Sequence, residues 1–200
     1  MLVKDVLRSV KSFLKEDGFY TSIHGVLLRP ICPGFEMFVG LNTATHRGDG
    51  VIGINPVVGL RDSAVENLIA ELAGHRGSVT LSISLGYLMP ERRYVEWEFG
   101  TADPVLAASL RDNIRMFGYP LIESLASRGA VADALKDNRM TFNESRAYRL
   151  PVVYFLQGKK DLLIQDLRNQ LDAMHDRTDM AAMEYRIFAE RLESKVRNAD

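Results

Sequence analysis

Three consecutive runs, His24-Gly-Val-Leu-Leu-Arg-Pro30, Gly34-Phe-Glu-Met-Phe-Val-Gly-Leu-Asn42 and Gly50-Val-Ile-Gly-Ile-Asn-Pro-Val-Val58, are rich in apolar and β-branched residues. Pro30-Ile-Cys-Pro-Gly34 and Thr45-His-Arg-Gly-Asp-Gly50 separate them. Strand formers broken by proline and glycine at this spacing predict a three-stranded antiparallel meander. In the middle run Phe35, Met37, Val39 and Leu41 alternate with Glu36, Phe38, Gly40 and Asn42, so one face is buried and the other mixed. Phe38 on the mixed face implies that helices cover part of that side too.

Amphipathic patterns flank the meander. Val3, Val6, Leu7, Val10, Phe13 and Leu14 recur at helical spacing and predict a helix over residues 2–17, ended by Gly18. Ser63-Ala-Val-Glu66 reads as a capping box opening a helix whose buried stripe is Val65, Leu68, Ile69 and Leu72, with Gly74 as its C-terminal cap. Val79, Leu81, Ile83 and Leu85 alternate with serine and threonine, and Tyr94-Val-Glu-Trp-Glu-Phe99 supplies a second alternating run. A hairpin of these two extends the sheet to five strands. Beyond Asp103-Pro104, an N-cap followed by proline, only helices are expected. Gly118 and Pro120 break the first of them, residues 130–138 form a short helix and 139–146 a loop. Leu150-Pro-Val-Val-Tyr-Phe-Leu-Gln-Gly158 suits strand or helix; helix is chosen, with Pro151 in its first turn. A helix through Leu163, Ile164, Leu167, Leu171 and Met174 follows, then one buried through Met180, Met183, Ile187, Leu192 and Val196.

The expected fold class is therefore α+β, a five-stranded mostly antiparallel sheet with an N-terminal helix and a helical C-terminal half. With 200 residues, 46% of them hydrophobic, we expect a single domain, residues 1–100 forming the helix-and-sheet portion and 103–197 a helical portion packed on it. A net charge of -1 argues against general nucleic-acid binding. One cysteine, Cys32, excludes an internal disulfide, and four scattered histidines give no zinc spacing. Charges interrupt the first residues, and no run approaches the ~20 apolar residues needed to span a bilayer, so a cytoplasmic protein without membrane contact is expected.

No nucleophile elbow, phosphate-binding loop or metalloprotease motif occurs, and neither cofactor nor metal is expected. Glu96 and Glu98 would share one face of a strand about 7 Å apart, near the separation that acid/base work needs, although a solvated strand face is the simpler reading. Arg47-Gly48-Asp49 matches an adhesion tripeptide but reads more simply as a hairpin loop. His24, His46, His75 and His175 are not expected to act as ligands or bases. Met174, Met180 and Met183 suit core filler or an adaptable binding face. Arg139, Arg146, Tyr148 and Arg149 could grip phosphate or acidic side chains.

The order of elements carries one resemblance. The N-terminal helix ending in Gly18-Phe19, the meander with Leu28-Arg29 and Phe35, and the helix hairpin around Arg149-Leu-Pro-Val-Val-Tyr-Phe-Leu-Gln-Gly158 resemble a group of small bacterial α+β proteins that includes proteins similar to immunity proteins. The resemblance implies a protein-binding module that neutralises a cognate toxin domain. Expected partner contacts are Tyr94, Glu96 and Glu98 on the sheet and Arg47 and Asp49 in the loop. The alternatives are a small hydrolase or transferase using Glu96 and Glu98, and a homo-oligomeric structural module.

Overall fold

A computed structural model describes residues 2–22, 25–44, 50–74, 77–137, 140 and 143–198. The expected α+β class holds. In chain order the elements are α1 (Leu2–Glu16), β1 (Tyr20–Thr21), β2 (Leu27–Cys32), β3 (Phe35–Ala44), β4 (Ile52–Asp62), α2 (Ser63–Ala73), β5 (Leu81–Ser84), β6 (Trp97–Phe99), α3 (Pro104–Asn113), α4 (Tyr119–Ser124), α5 (Arg128–Asp137), α6 (Asn143–Leu156), α7 (Lys160–Ala173) and α8 (Met180–Asn198). The sheet runs β1-β2-β3-β4-β5, with β6 also on β4. Contacts divide the chain into two compact units, Met1–Arg61 with Ser82–Ala126 and Asp62–Leu81 with Ser127–Asp200.

In the first unit the meander strands form where the sequence places them, and Phe38 is buried beside Met37 and Val39. Val6, Val10 and Leu14 of α1 are fully buried, and α1 packs on α3. Arg29 of β2 ties several of these elements together. Its guanidinium lies 4.2 Å from the Tyr119 ring and donates to Glu123 at 2.7 Å, while the Tyr119 hydroxyl donates to Asp17 at 2.9 Å. Burial, then the bond to Asp17, holds the Tyr119 phenol well above its ordinary range.

Two local expectations give way here. The hairpin of residues 78–86 with 94–99 does not form: β5 and the three-residue β6 each pair with β4, in the register Ile52↔Phe99 and Ile54↔Trp97 for β6. The chain leaves β5 through a 3-10 turn at Leu85–Tyr87 instead of continuing as strand. Nor do Gly118 and Pro120 break the helix. Ile114–Gly118 forms a π-helical turn, closed by the Tyr119 amide on the Ile114 carbonyl, and leads straight into α4. The wider turn accommodates a proline that has no N–H to offer, and it presses Gly118 so close to β4 that a Cβ would stand 3.0 Å from Val58.

In the second unit α6 touches α2, α5, α7 and α8. The expected capping box is replaced. Asp62, not Ser63, caps α2, its Oδ1 accepting from the Ala64 amide at 2.9 Å and the Val65 amide at 3.3 Å. Glu66 cannot reach back to the cap because it is fully buried and held by Arg149, Nε to Oε1 at 3.0 Å and Nη2 to Oε2 at 3.3 Å. Gly74 does cap the C-terminus, at φ +76°.

α6 begins at Asn143, so the loop expected over 139–146 is partly helix and Pro151 lies in the helix interior instead of its first turn. A proline there withholds its amide from the Ala147 carbonyl. The Tyr185 hydroxyl, fully buried on α8, donates to that carbonyl at 3.3 Å. Tyr185 and Phe188 pack with Tyr148, and this aromatic cluster sets the phase of α8. The buried stripe is Ala182, Tyr185, Phe188, Ala189, Leu192 and Val196, so Met180, Met183 and Ile187 are exposed and not core as their spacing suggested.

Arg149→Ala strands the Glu66 carboxylate and should cost about 3–5 kcal/mol in urea unfolding, with part recovered when Glu66→Met and Arg149→Met are combined. Asp166, whose Oδ2 is buried without a hydrogen-bond partner, has its carboxyl pushed up by burial, opposed by Arg146 at 3.6 Å. Such a group withdraws stability as pH rises from the ordinary carboxylate range through the raised value. Asp166→Asn should therefore raise the unfolding midpoint at neutral pH and lose that advantage near pH ~3.5, below the ordinary aspartate value.

Candidate functional site

Trp97 and Phe99 alternate inward along β6, are buried, and fix the end of the Leu85–Gly100 segment on β4. The remainder is held by hydrogen bonds of residues the sequence gives little reason to notice. Asn55, buried on β4, donates from Nδ2 to Ser84 Oγ at 2.9 Å and to the Val95 carbonyl at 2.8 Å. The Leu88 amide closes on Leu85 at 2.9 Å and the Arg92 amide on Met89 at 3.0 Å. Gly86 lets the returning chain in: a Cβ there would stand 2.3 Å from the Arg93 carbonyl oxygen. These bonds and the close approach at Gly86 tie the loop to β4 and to itself, while its outer side chains are solvated.

Those side chains are Tyr87, 50% exposed, and Tyr94, 55% exposed, with Glu91, Arg92, Arg93 and Glu98 exposed beside them. Arg92 has φ +46°, the one non-glycine residue with positive φ among those described. Outside glycine that conformation costs about 1–2 kcal/mol and persists where the surroundings enforce it. The Tyr94 hydroxyl donates to Glu96, a bond that raises the phenol above its ordinary value and keeps it protonated. The Glu96 carboxylate lies over Gly53, where a Cβ would stand 2.7 Å from Oε2. Next to the Leu85–Tyr87 turn runs the π-helical segment, from which Met116 projects 67% exposed. A groove of about 540 Å³ extends from Met116 along α3 to Val105.

Of the expected contact residues, the structure brings Tyr94 and Glu96 together and places Glu98 on β6 opposite Gly53. Arg47 and Asp49 lie outside the described residues, as do His24, His46, His75 and Arg139. Arg146 and Arg149, candidates for gripping an external anion, are turned to Asp166 and Glu66. Cys32 is exposed at the end of β2, and His175 pairs with Asp176. Among the described residues no three histidine, cysteine, aspartate or glutamate side chains form a metal-holding group, and no helix is long and apolar enough to cross a membrane. Glu96 is half-buried and Glu98 exposed, so neither has the desolvated setting that acid/base work asks for.

Neither Tyr87 nor Met116 is marked as a site residue by the sequence. Met116 falls off the Leu110, Ile114 and Phe117 stripe and could have been found by helical phase. Tyr87 and Arg92 depend on the 3-10 turn and on a left-handed residue, for which no glycine or asparagine gives a signal. Comparison with protein-family models, with characterised proteins and with solved structures finds no match to this chain.

The strain at Arg92 gives a prediction. Arg92→Gly should raise stability by about 0.5–1 kcal/mol, the relieved strain exceeding the chain entropy that glycine adds, and Arg92→Val should lower it. Urea midpoints of the two variants against the parent measure both signs.

Proposed function

We propose that this chain is a protein-binding module whose docking face is the Leu85–Gly100 segment with Met116 beside it. One observation carries the reading: two tyrosines and a methionine stand half or more exposed on backbone that is tied down by hydrogen bonds and close packing. Tyrosine, arginine and methionine are the types enriched at interface hot spots, and a rigid loop loses little conformational entropy on docking. Glu98 and Arg93 form a charged rim that sets orientation and rate of encounter more than affinity.

The more specific form of the proposal is an immunity-like protein of the bacterial cytoplasm that occludes a cognate toxin domain. It rests on the resemblance in the order of elements, and the docking face adds the surface that such occlusion requires.

The test is paired affinity capture from source lysate with the parent and with a Tyr87→Ala, Tyr94→Ala, Met116→Ala variant, followed by titration of whatever partner is retained. A stoichiometric partner held by the parent should bind the variant at least about thirtyfold more weakly, one hot spot's worth of ~2 kcal/mol. A partner retained equally by both proteins removes this face from the proposal.

A further inference from the structure

Beside the stripe that it buries, α1 carries a straight ridge of cations at i, i+4, i+7 and i+11: Lys4, Arg8, Lys11 and Lys15. At 3.6 residues per turn the four fall within an arc of roughly 60° and extend over about 16 Å. A shallow groove of about 400 Å³ follows them, with Leu7 and Ser12 between. Of the acids in the same segment, Glu16 pairs off the ridge with Arg111 at 3.7 Å and Asp17 with Arg115 at 2.8 Å, while Asp5 takes Arg8 of the ridge at 3.0 Å. Lys4, Lys11 and Lys15 are left with no ion-pair partner among the described residues.

We propose that this ridge binds the phosphate backbone of a nucleic-acid duplex without reading its sequence. The chemistry of the ridge selects this occupant over others. A protein partner would need an apolar or aromatic anchor and a face poor in lysine, whereas this ridge is lysine with a half-buried Leu7. Paired carboxylates are best gripped by a free guanidinium fork, and the one arginine here is tied to Asp5. A single strand calls for exposed aromatics to stack on, but Phe13 lies under the Arg111 guanidinium at 5.3 Å. Insertion into a membrane would require the apolar face of α1, and Val6, Val10 and Leu14 are fully buried. Phosphodiesters need none of these, because affinity comes from release of condensed counterions by point charges.

The experiment is anisotropy titration of the full chain into a labelled random-sequence duplex of about 20 base pairs, between roughly 50 and 200 mM salt. Three lysine contacts predict a slope of log K against log salt near about -2.7, a loss of roughly fortyfold over that range. The Lys4→Gln, Lys11→Gln, Lys15→Gln variant should keep its circular dichroism and melting curve, bind at least about tenfold more weakly at the low salt, and lose most of the slope. Absence of duplex binding at low salt overturns the proposal, and so does a variant that binds like the parent. Tighter lysine-dependent binding to phosphatidylserine vesicles or to polyglutamate than to the duplex also overturns it, and gives the ridge to that partner class.

Discussion

Glu66 has no exposure to solvent, and it stands on the same inward face of α2 as Val65, Ile69 and Leu72. A carboxylate in that position is tolerated when a cation and hydrogen-bond donors meet it, and two side chains do so. Arg149 forks onto both oxygens, and its Nη2 also donates to the Val79 carbonyl at 2.8 Å. The Thr80 hydroxyl donates to Glu66 at 2.9 Å while accepting from the Asp62 amide at 2.9 Å. One hydroxyl therefore joins the cap of α2 to the ion pair that fixes α2 against α6. Gly77 completes the arrangement, since a Cβ there would lie 2.2 Å from Glu66 Oε2. The Coulomb gain of a buried pair is largely offset by desolvation. What the pair adds is register: α6 meets α2 in the position where Arg149 finds Glu66.

How much of this could be read in advance depended on the range of the determining interaction. The meander, α1 and the Asp103-Pro104 helix start are specified by neighbours a few residues apart, and they form as expected. The readings that changed turn on distant groups. Ser63-x-x-Glu66 has the local pattern of a capping box, but Arg149, 83 residues on, takes the glutamate. Pro151 reads locally as a helix start, yet Tyr185 supplies from α8 the donor that makes it tolerable in the interior. In the first half of α8, methionine and isoleucine are apolar wherever they fall, whereas packing of Tyr148, Tyr185 and Phe188 decides which face is buried. The same limit applies to the candidate site. Tyr94, Glu96 and Glu98 stand out in an alternating run, while the turn that presents Tyr87 and the conformation of Arg92 depend on Gly86 meeting the Arg93 carbonyl.

The first unit separates two kinds of surface. On the Leu85–Gly100 segment and Met116, aromatic and thioether groups stand on immobilised backbone, an arrangement suited to burying area against a shaped partner. Along the Lys4, Arg8, Lys11 and Lys15 ridge of α1 the side chains are long and of one sign, which suits a partner that offers charge without shape. Glu16 at the end of α1 and Asp17 just beyond it are met by Arg111 and Arg115 from the adjoining helical segments, so the contrast between the two surfaces is built by packing as well as by composition.

The interleaved chain path bears on synthesis. Residues of the first unit are complete once Ala126 has been made, whereas α2, within Asp62–Leu81, meets its remaining unit from Ser127 onward. During elongation α2 is therefore made before its partners α6 and α8, and about 75 further residues pass, at about 5–20 per second, before Arg149 is made, and over about a hundred before α8 begins. Until Arg149 has been made, Glu66 lacks the guanidinium that compensates it in the folded unit. That interval is where chaperones would engage this chain, and a slower codon stretch between α2 and α6 would lengthen it.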